Sequence, residues 1–564
     1  MNVARLIRNF PLCLCWIVAG CAVAPADLVF TGGAVYTVDS DQPWAEAVAV
    51  RGGRIAYVGD DAGVQPLVGE GTRVMELDGR MLLPGFHDSH MHPMAAGTRF
   101  FRCQLKGLEW PDAVMAELKR CHDGLLEGEW LRGVGLPEEL FGSGVLDRKL
   151  LDSVAPGRPA LISNSSGFKA WVNSSALDLA GFNAESDDRE DVVRYPDSRQ
   201  PTGELLQPAS GLMWRLAPLP SQDRLRESLK MASAMANGFG ITSANEARVS
   251  RELLDAYIAA DAAGEMTIRV QGSQWWDPLK DHSQVEDMVS NRQRAAGNRF
   301  KADAAKLFLD GDIQHGTAWL LSPYLHSGET GGWRIPPDRV RKGVARLDAE
   351  GFQVHIHAVG DAAIRLGLDS LENAAAVNPP SDRRHQIAHL AMIHPDDRGR
   401  FEQLGVAADF QPLWAKMDAQ AREELLGMLG PERSRWYAAI RSIMDSGARV
   451  VAGSDWISES MNPLDAIQVA ITRQPLDGSA PSFNQEQAVT LEQMLAAYTI
   501  NGAWLARQED LTGSIEVGKL ADLVVLDRNL FGVPAAEISQ VLVLLTLLEG
   551  VEVYRSPDSS KYSW

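Results

Sequence analysis

Cysteine is scarce in this chain, with five in 564 residues. Cys103 and Cys121, the two beyond the first thirty residues, lack the short spacing of a thiolate metal site, so a cysteine-bound ion is excluded. Basic residues are in deficit as well. Lys and Arg number 54 against 74 Asp and Glu, a formal net charge of −20. That balance opposes a nucleic-acid partner, because such proteins carry a basic face that displaces counterions. Repeats and low-complexity tracts are missing too. A hydrophobic content of 45% with 23% charged residues is that of an ordinary folded protein and argues against disorder. The apolar stretch from Phe10 to Val18 is too short to span a bilayer. What is present is length: 564 residues exceed one usual core and imply a large barrel with an accessory domain, or two to four domains.

Arg5 and Arg8 precede that apolar stretch, which gives residues 1–20 the form of an export signal. The segment Val18-Ala19-Gly20-Cys21 resembles a bacterial lipobox, in which cleavage before the cysteine is followed by lipidation of its thiol. Ala22, rather than Asp, follows Cys21, which by that resemblance implies an outer-membrane lipoprotein of a Gram-negative cell. A plain secretory signal with an incidental cysteine, leaving the protein free in the periplasm, is the other reading. Membrane contact is then expected through the N-terminal lipid anchor only. In an oxidising periplasm Cys103 and Cys121 could pair, or both could be buried free thiols.

From Asp27 to Leu83 short alternating runs are split by Gly32-Gly33 and Gly52-Gly53, the pattern of a small antiparallel sheet. The C-terminal end reads alike, with Gly518 to Asp527, Val541 to Leu545 and Val551 to Tyr554. Two strand-rich ends suggest one composite domain, residues 27–83 with 508–564. The middle, 84–507, alternates strands and helices as a parallel α/β barrel does. Expected strands after the Pro84 segment are Ile241 to Ala244, Met266 to Gln271, Ala305 to Leu309, Gln353 to His357, Gln386 to His389, Val406 to Gln411 and Arg449 to Ala452. The stretch from about Gly97 to about Leu219 breaks this alternation and is expected to be an insertion after the first strand.

The ends of these strands carry the chemistry. In P-G-F-H-D-S-H-M-H-P, His90 and His92 lie two apart at a strand end, so both imidazoles can serve one ion. Lys306 is a lone lysine in the apolar segment A-A-K-L-F-L-D-G. An ammonium there is costly unless its pKa falls or its charge is removed, for instance by conversion with carbon dioxide to a carbamate that can bridge two metals. Pairing with Asp310 or another acid is the alternative. His355 and His357 end another strand, His389 a third, and Asp455 follows the apolar run R-V-V-A-G-S-D. H-x-H, Lys, His, His and Asp fall on strands one, four, five, six and eight, whose C-terminal ends meet at one mouth. Their order is the argument for a metal site.

On these motifs, together with K-A-W-V-N-S-S-A-L, P-T-G, F-Q-P-L-W and T-G-S-I-E-V-G-K-L-A-D-L-V-V-L-D, the chain resembles the amidohydrolase superfamily. Within it, the likeness is to the amidohydrolase-3 branch, which includes relatives of N-substituted formamide deformylase. The resemblance implies an α/β fold, a (β/α)8 TIM barrel with a flanking β-sandwich built from both chain ends. It also implies His90, His92, carbamylated Lys306, His357, His389 and Asp455 as ligands of a one- or two-metal centre, zinc suiting such ligands best. Hydroxide formed on the metal would attack an amide, formamide or cyclic amide, a non-peptide C–N bond, with Asp455 as general base and then acid. His87 is expected to be structural. Substrate contacts are expected from His355, Trp414, Trp456 and Arg473, the last meeting a carboxylate. The chain departs from the family pattern at Ser166-Gly167-Phe168, Gln207 and Ala388, which leaves the small-molecule substrate open. A deaminase-type hydrolase with one metal, and a lipoprotein keeping the barrel as a non-catalytic binding module, stay open as alternatives, as does a homo-oligomer.

Overall fold

A computed structural model describes residues 24–561 apart from 165–168 and 188–189. The expected signal with Cys21, and Ser166-Gly167-Phe168, lie outside the described residues. At the centre, eight strands pair in sequence order, each parallel to the next. They are β1 (Phe86–Met91), β2 (Ile241–Val249), β3 (Arg269–Trp275), β4 (Phe300–Phe308), β5 (Gln353–Ala358), β6 (Gln386–His389), β7 (Ala407–Phe410) and β8 (Val450–Ala452). Helices such as Arg251–Ala262, Pro337–Ala349 and Asp361–Val377 supply the crossovers that parallel pairing requires. Enclosed by helices outside and packed side chains inside, the strands are buried along nearly their whole length.

The ring closes between β1 and β8 just beyond the strands. Asp455 N–H donates to His90 O at 2.7 Å, and His92 N–H to Trp456 O at 3.2 Å. Gly453 makes that approach possible, since a Cβ there would lie 2.5 Å from His90 N.

Two further sheets flank the barrel. One has four strands, ordered Arg54–Gly59, Ala47–Arg51, Leu28–Thr31 and Arg73–Glu76. The other has six, ordered Val551–Arg555, Val543–Leu548, Leu523–Leu526, Met81–Pro84, Ala34–Tyr36 and Trp44–Ala45. Their shared core includes Phe30, Val48, Leu82, Val525 and Leu545, drawn from both chain ends. At the N-terminal ends of the barrel strands, Arg269 pairs with buried Asp522 and reaches Glu549 at 2.6 Å, while Arg299 holds Glu549 at 3.0 Å.

Between β1 and β2 the chain builds a third sheet of six strands. Its order is Val192–Arg194, Pro201–Leu205, Ala170–Val172, Ala160–Asn164, Leu131–Leu136 and Cys103–Gln104. A Cys103–Cys121 disulfide ties its edge strand to the helix Asp112–Asp123, which selects pairing over two free thiols. Several barrel strands differ in extent from the sequence expectation. β2 runs on to Val249, β3 lies further along at Arg269–Trp275, and β4 begins at Phe300. Polar residues such as Asn245, Glu246 and Gln271 sit inside these strands because neighbouring strands and a packed helix supply partners for them, a context that local patterning does not contain.

Candidate metal centre

β1 carries His90 and hands the chain to His92, whose rings stand 5.9 Å apart at the mouth. Their Nε2 atoms converge on one oxygen of Asp455, at 3.7 Å from His90 and 3.3 Å from His92. Asp455 has φ of 49°, a left-handed conformation that its backbone bond to His90 O helps to fix.

Behind each imidazole stands a buried carboxylate. Asp409 Oδ2 lies 3.3 Å from His90 Nδ1, and Glu246 Oε1 lies 3.0 Å from His92 Nδ1. Glu246 is itself held, accepting from Tyr257 Oη at 2.9 Å and Met94 N–H at 3.2 Å. A carboxylate at the far nitrogen fixes the ring and raises the basicity of the nitrogen facing the ion. Burial works against charge on His92, but hydrogen bonds to Asp455 and Glu246 outweigh it and raise its pKa to about 9. The field that favours a proton there equally favours a metal cation.

Lys306 is fully buried on β4, its Nζ 3.2 Å from His355 Nε2 and 3.5 Å from His90 Nε2. It does not pair with Asp310, the first of the acids the sequence offered, and the carboxylates whose charge it feels are Asp455 and Asp409. Asp310 instead accepts the amides of Trp319, Val359 and Gly360 at 2.9, 3.0 and 2.8 Å. Burial brings the Lys306 amine down to about 7, against the pull of Asp455 and Asp409. His357 and His389 have ring centroids 4.4 Å apart, and His389 lies 4.7 Å from His90. The His389 Nδ1 atom is buried with no hydrogen-bond partner among the described residues. Burial, reinforced by Lys306, lowers the pKa of His90 and His357, and burial with His357 lowers that of His389. These three imidazoles are therefore neutral, each with a ring-nitrogen lone pair, whereas His92 gives up its proton only when a cation takes that place. Neutral imidazoles, a shared carboxylate and an orphaned buried nitrogen fit a divalent metal of the zinc type.

The expected substrate contacts fare unevenly. Trp456 is partly buried and its ring lies 6.0 Å from Phe100, while Trp414 stacks on His389 at 5.3 Å. His355 lies beneath the mouth, fully buried, with Nδ1 2.9 Å from Ser273 Oγ and Nε2 3.0 Å from His90 Nδ1. Enclosed there, it supports His90 and Lys306 and is not placed to touch a substrate. Arg473 is also corrected. Its guanidinium is fully buried and donates to the carbonyls of Phe483 at 3.0 Å, Ala438 at 3.1 Å and Tyr437 at 3.4 Å, a packing role enclosed away from solvent. His87 is buried, with Nε2 3.3 Å from Thr512 Oγ1.

Three acids that the sequence reading passed over belong to this centre. Glu246 and Asp409 back the imidazoles. Asp88 Oδ1 accepts from His90 N–H at 3.1 Å and Ser454 N–H at 3.0 Å, joining β1 to the segment after β8. Asp409 in A-A-D-F shows the signal that could have found it, a lone charge inside an apolar strand, as for Lys306.

A parallel eight-stranded barrel with imidazoles and carboxylates gathered at the C-terminal strand ends defines the class of barrel hydrolases that work through metal ions. The chain belongs to the amidohydrolase family, whose model matches residues 73–554. It is 30% identical over 543 residues to the protein LONG AFTER FAR-RED 3 of Arabidopsis thaliana, covering 94% of this chain and 92% of that one. It is 28% identical over 556 residues to N-substituted formamide deformylase of Arthrobacter pascens, covering 94% and 99%. Its fold is similar to that of an uncharacterized metal-dependent hydrolase from Pyrococcus furiosus, with TM-score 0.74, 22% identity, and coverage of 89% of this chain and 99% of that one. The protein is thus a hydrolase of the amidohydrolase type.

Proposed function

We propose that the protein hydrolyses a non-peptide C–N bond, in an amide, formamide or cyclic amide, at a centre formed by His90, His92, Lys306, His357, His389 and Asp455. The observation that carries this reading is the convergence of His90 Nε2 and His92 Nε2 on Asp455 Oδ1, with Asp409 and Glu246 behind the rings. When bound, one or two divalent ions, zinc for preference, would lower the pKa of water and polarise the substrate carbonyl. His90 and His92 hold their Nε2 atoms toward that position, and the acids behind them prevent rotation. Asp455 accepts the proton of the attacking water and passes it to the departing nitrogen, acting first as base and then as acid. Ser458 Oγ donates to its other oxygen at 3.2 Å and steadies the carboxylate between these steps. Similarity to the formamide deformylase supports a formyl or small acyl amide as the first substrate to test.

Lys306 is the proposed site of carbamylation. With its pKa near 7 a large fraction is free amine at neutral pH. Its nitrogen adds to the carbon of carbon dioxide and releases a proton, leaving a carboxylate where a cation was. Metal analysis, intact mass and turnover on a panel of N-acyl, formamide and cyclic amide substrates test the reading together. Two ions per chain, one added carbon dioxide and release of amine from at least one substrate are expected. One ion with unmodified Lys306 would point to the deaminase-type alternative, and a metal-free protein inert on the whole panel would overturn hydrolysis.

Export and lipidation at Cys21 are proposed alongside, supported by the Cys103–Cys121 disulfide, since such bonds persist in oxidising compartments. Palmitate labelling that disappears in Cys21→Ser is the expected result. Labelling that persists, or is absent from both proteins, rejects the anchor.

A further inference from the structure

The insertion leaves the barrel through Thr98–Phe101 and Arg102, and the chain returns through Pro218–Ser221 into the helix Gln222–Gly238. A cavity of about 450 Å³ lies between these two connectors. Its apolar lining includes Phe100, Phe101 and Trp130, and its charged lining consists of four arginines and two glutamates. In a chain with formal charge −20, this is a local reversal of sign.

Two of the arginines are engaged. Arg224 reaches Glu129 at 3.1 Å and lies over the Phe101 ring at 4.7 Å, while Arg120 pairs with Glu117 at 2.6 Å. Arg102 and Arg132 form no direct ion pair among the described residues. Arg132 donates to the carbonyl of Pro218. Arg102 rests 5.2 Å over the ring of Trp214. Burial, and after it the nearby charges of Arg132 and Arg99, push Arg102 down to about 10. Glu129 lies near enough to Arg132 to favour its charge but is itself bonded to Arg224, so two half-buried guanidiniums set close together share one carboxylate already engaged elsewhere, a costly arrangement that an anion would relieve. Guanidinium groups bind carboxylate and phosphate through paired donors, and concave sites at the junction of two structural units are common ligand sites.

We propose that this junction cavity is a second binding site, separate from the metal centre, for an organic anion with an aromatic or aliphatic body. The anion is held by Arg102 and Arg132, and its body lies against Phe100, Phe101 and Trp130. Phe100 lines the cavity and also faces Trp456 at 6.0 Å, so the two sites share one aromatic wall. The proposal is independent of the reaction assigned to the metal centre.

The test uses 4-phenylbutyrate and its uncharged analogue 4-phenylbutanol, with binding measured by calorimetry on the whole protein. At least tenfold tighter binding of the acid is expected. Arg102→Met and Arg132→Met should each remove that preference, and Asp455→Asn should leave it intact. Equal binding of acid and alcohol overturns the proposal. So does acid binding that is lost in Asp455→Asn but kept in Arg102→Met, since the probe would then occupy the metal centre. If either methionine variant fails to fold, modification of the unsubstituted protein by phenylglyoxal gives the same decision. 4-Phenylbutyrate should protect Arg102 and Arg132, and modification at an unchanged rate refutes the site.

Discussion

At the N-terminal end of the barrel, Arg269, Asp522, Arg299 and Glu549 close on one another and fasten the barrel to the flanking sheets. At the C-terminal end, His90, His92 and Asp455 also lie within reach of one another, but His389 Nδ1 is left without a partner and Lys306 without an ion pair among the described residues. Burial is comparable at the two ends, with Arg269 and Asp522 as enclosed as His90 and Lys306. The difference lies in whether charge is satisfied internally. A closed cluster stabilises the fold, whereas an open one reserves its bonding capacity for something that arrives later.

The strongest way to break this comparison is at the open end. Asp455→Asn should lower turnover about a thousandfold, the range of a general base, while the melting temperature changes little. A large fall in melting temperature would place Asp455 among the structural groups. Next comes the closed end. Asp522→Asn leaves Arg269 buried with one partner fewer, and should cost about 3 kcal/mol of stability in denaturant titration with turnover per folded molecule unchanged. Glu246→Gln sharpens the contrast from behind the site. Metal affinity should fall about 10- to 100-fold by chelator competition, with the fold retained.

The smallest effect is expected at another closed cluster, beside the start of β6. Burial works against the charge of Asp348, but hydrogen bonds from His385 at 3.1 Å, Asn378 at 2.8 Å and Arg383 at 2.9 Å hold it at about 2. Because its folded pKa is depressed, its stabilisation is complete above the unfolded value near 3.9 and is lost as pH falls toward about 2. Asp348→Asn should lower stability at neutral pH by about 1 kcal/mol and flatten the acid limb of the stability curve, with turnover unaltered. An unchanged acid limb would count against the pairing.

Much of the open end was legible in the sequence because its groups lie at strand ends, where a histidine or aspartate interrupts an apolar run. The H-x-H at His90 and His92, Lys306, His357, His389 and Asp455 all carry that local signal. Glu246 did not, because β2 was expected to stop at Ala244 and the acid fell into an apparent loop. The burial of Arg473 was equally invisible, since its partners are backbone carbonyls as far away as Tyr437, and a carbonyl has no letter in the sequence. The third sheet was detectable only as a failure of alternation, for it mixes parallel and antiparallel pairings and so carries neither the barrel's strand-helix rhythm nor a plain hairpin pattern.

Closure of the ring through the site residues themselves has a consequence in time. The amide proton of Asp455 bonds to His90 O, and that of His92 to Trp456 O, so neither can meet solvent until the seam between first and last strand parts. These two protons are expected to exchange among the slowest in the molecule, on the schedule of global opening rather than loop motion. Isotope exchange would thus record the lifetime of the intact reaction chamber directly, at the residues that form it.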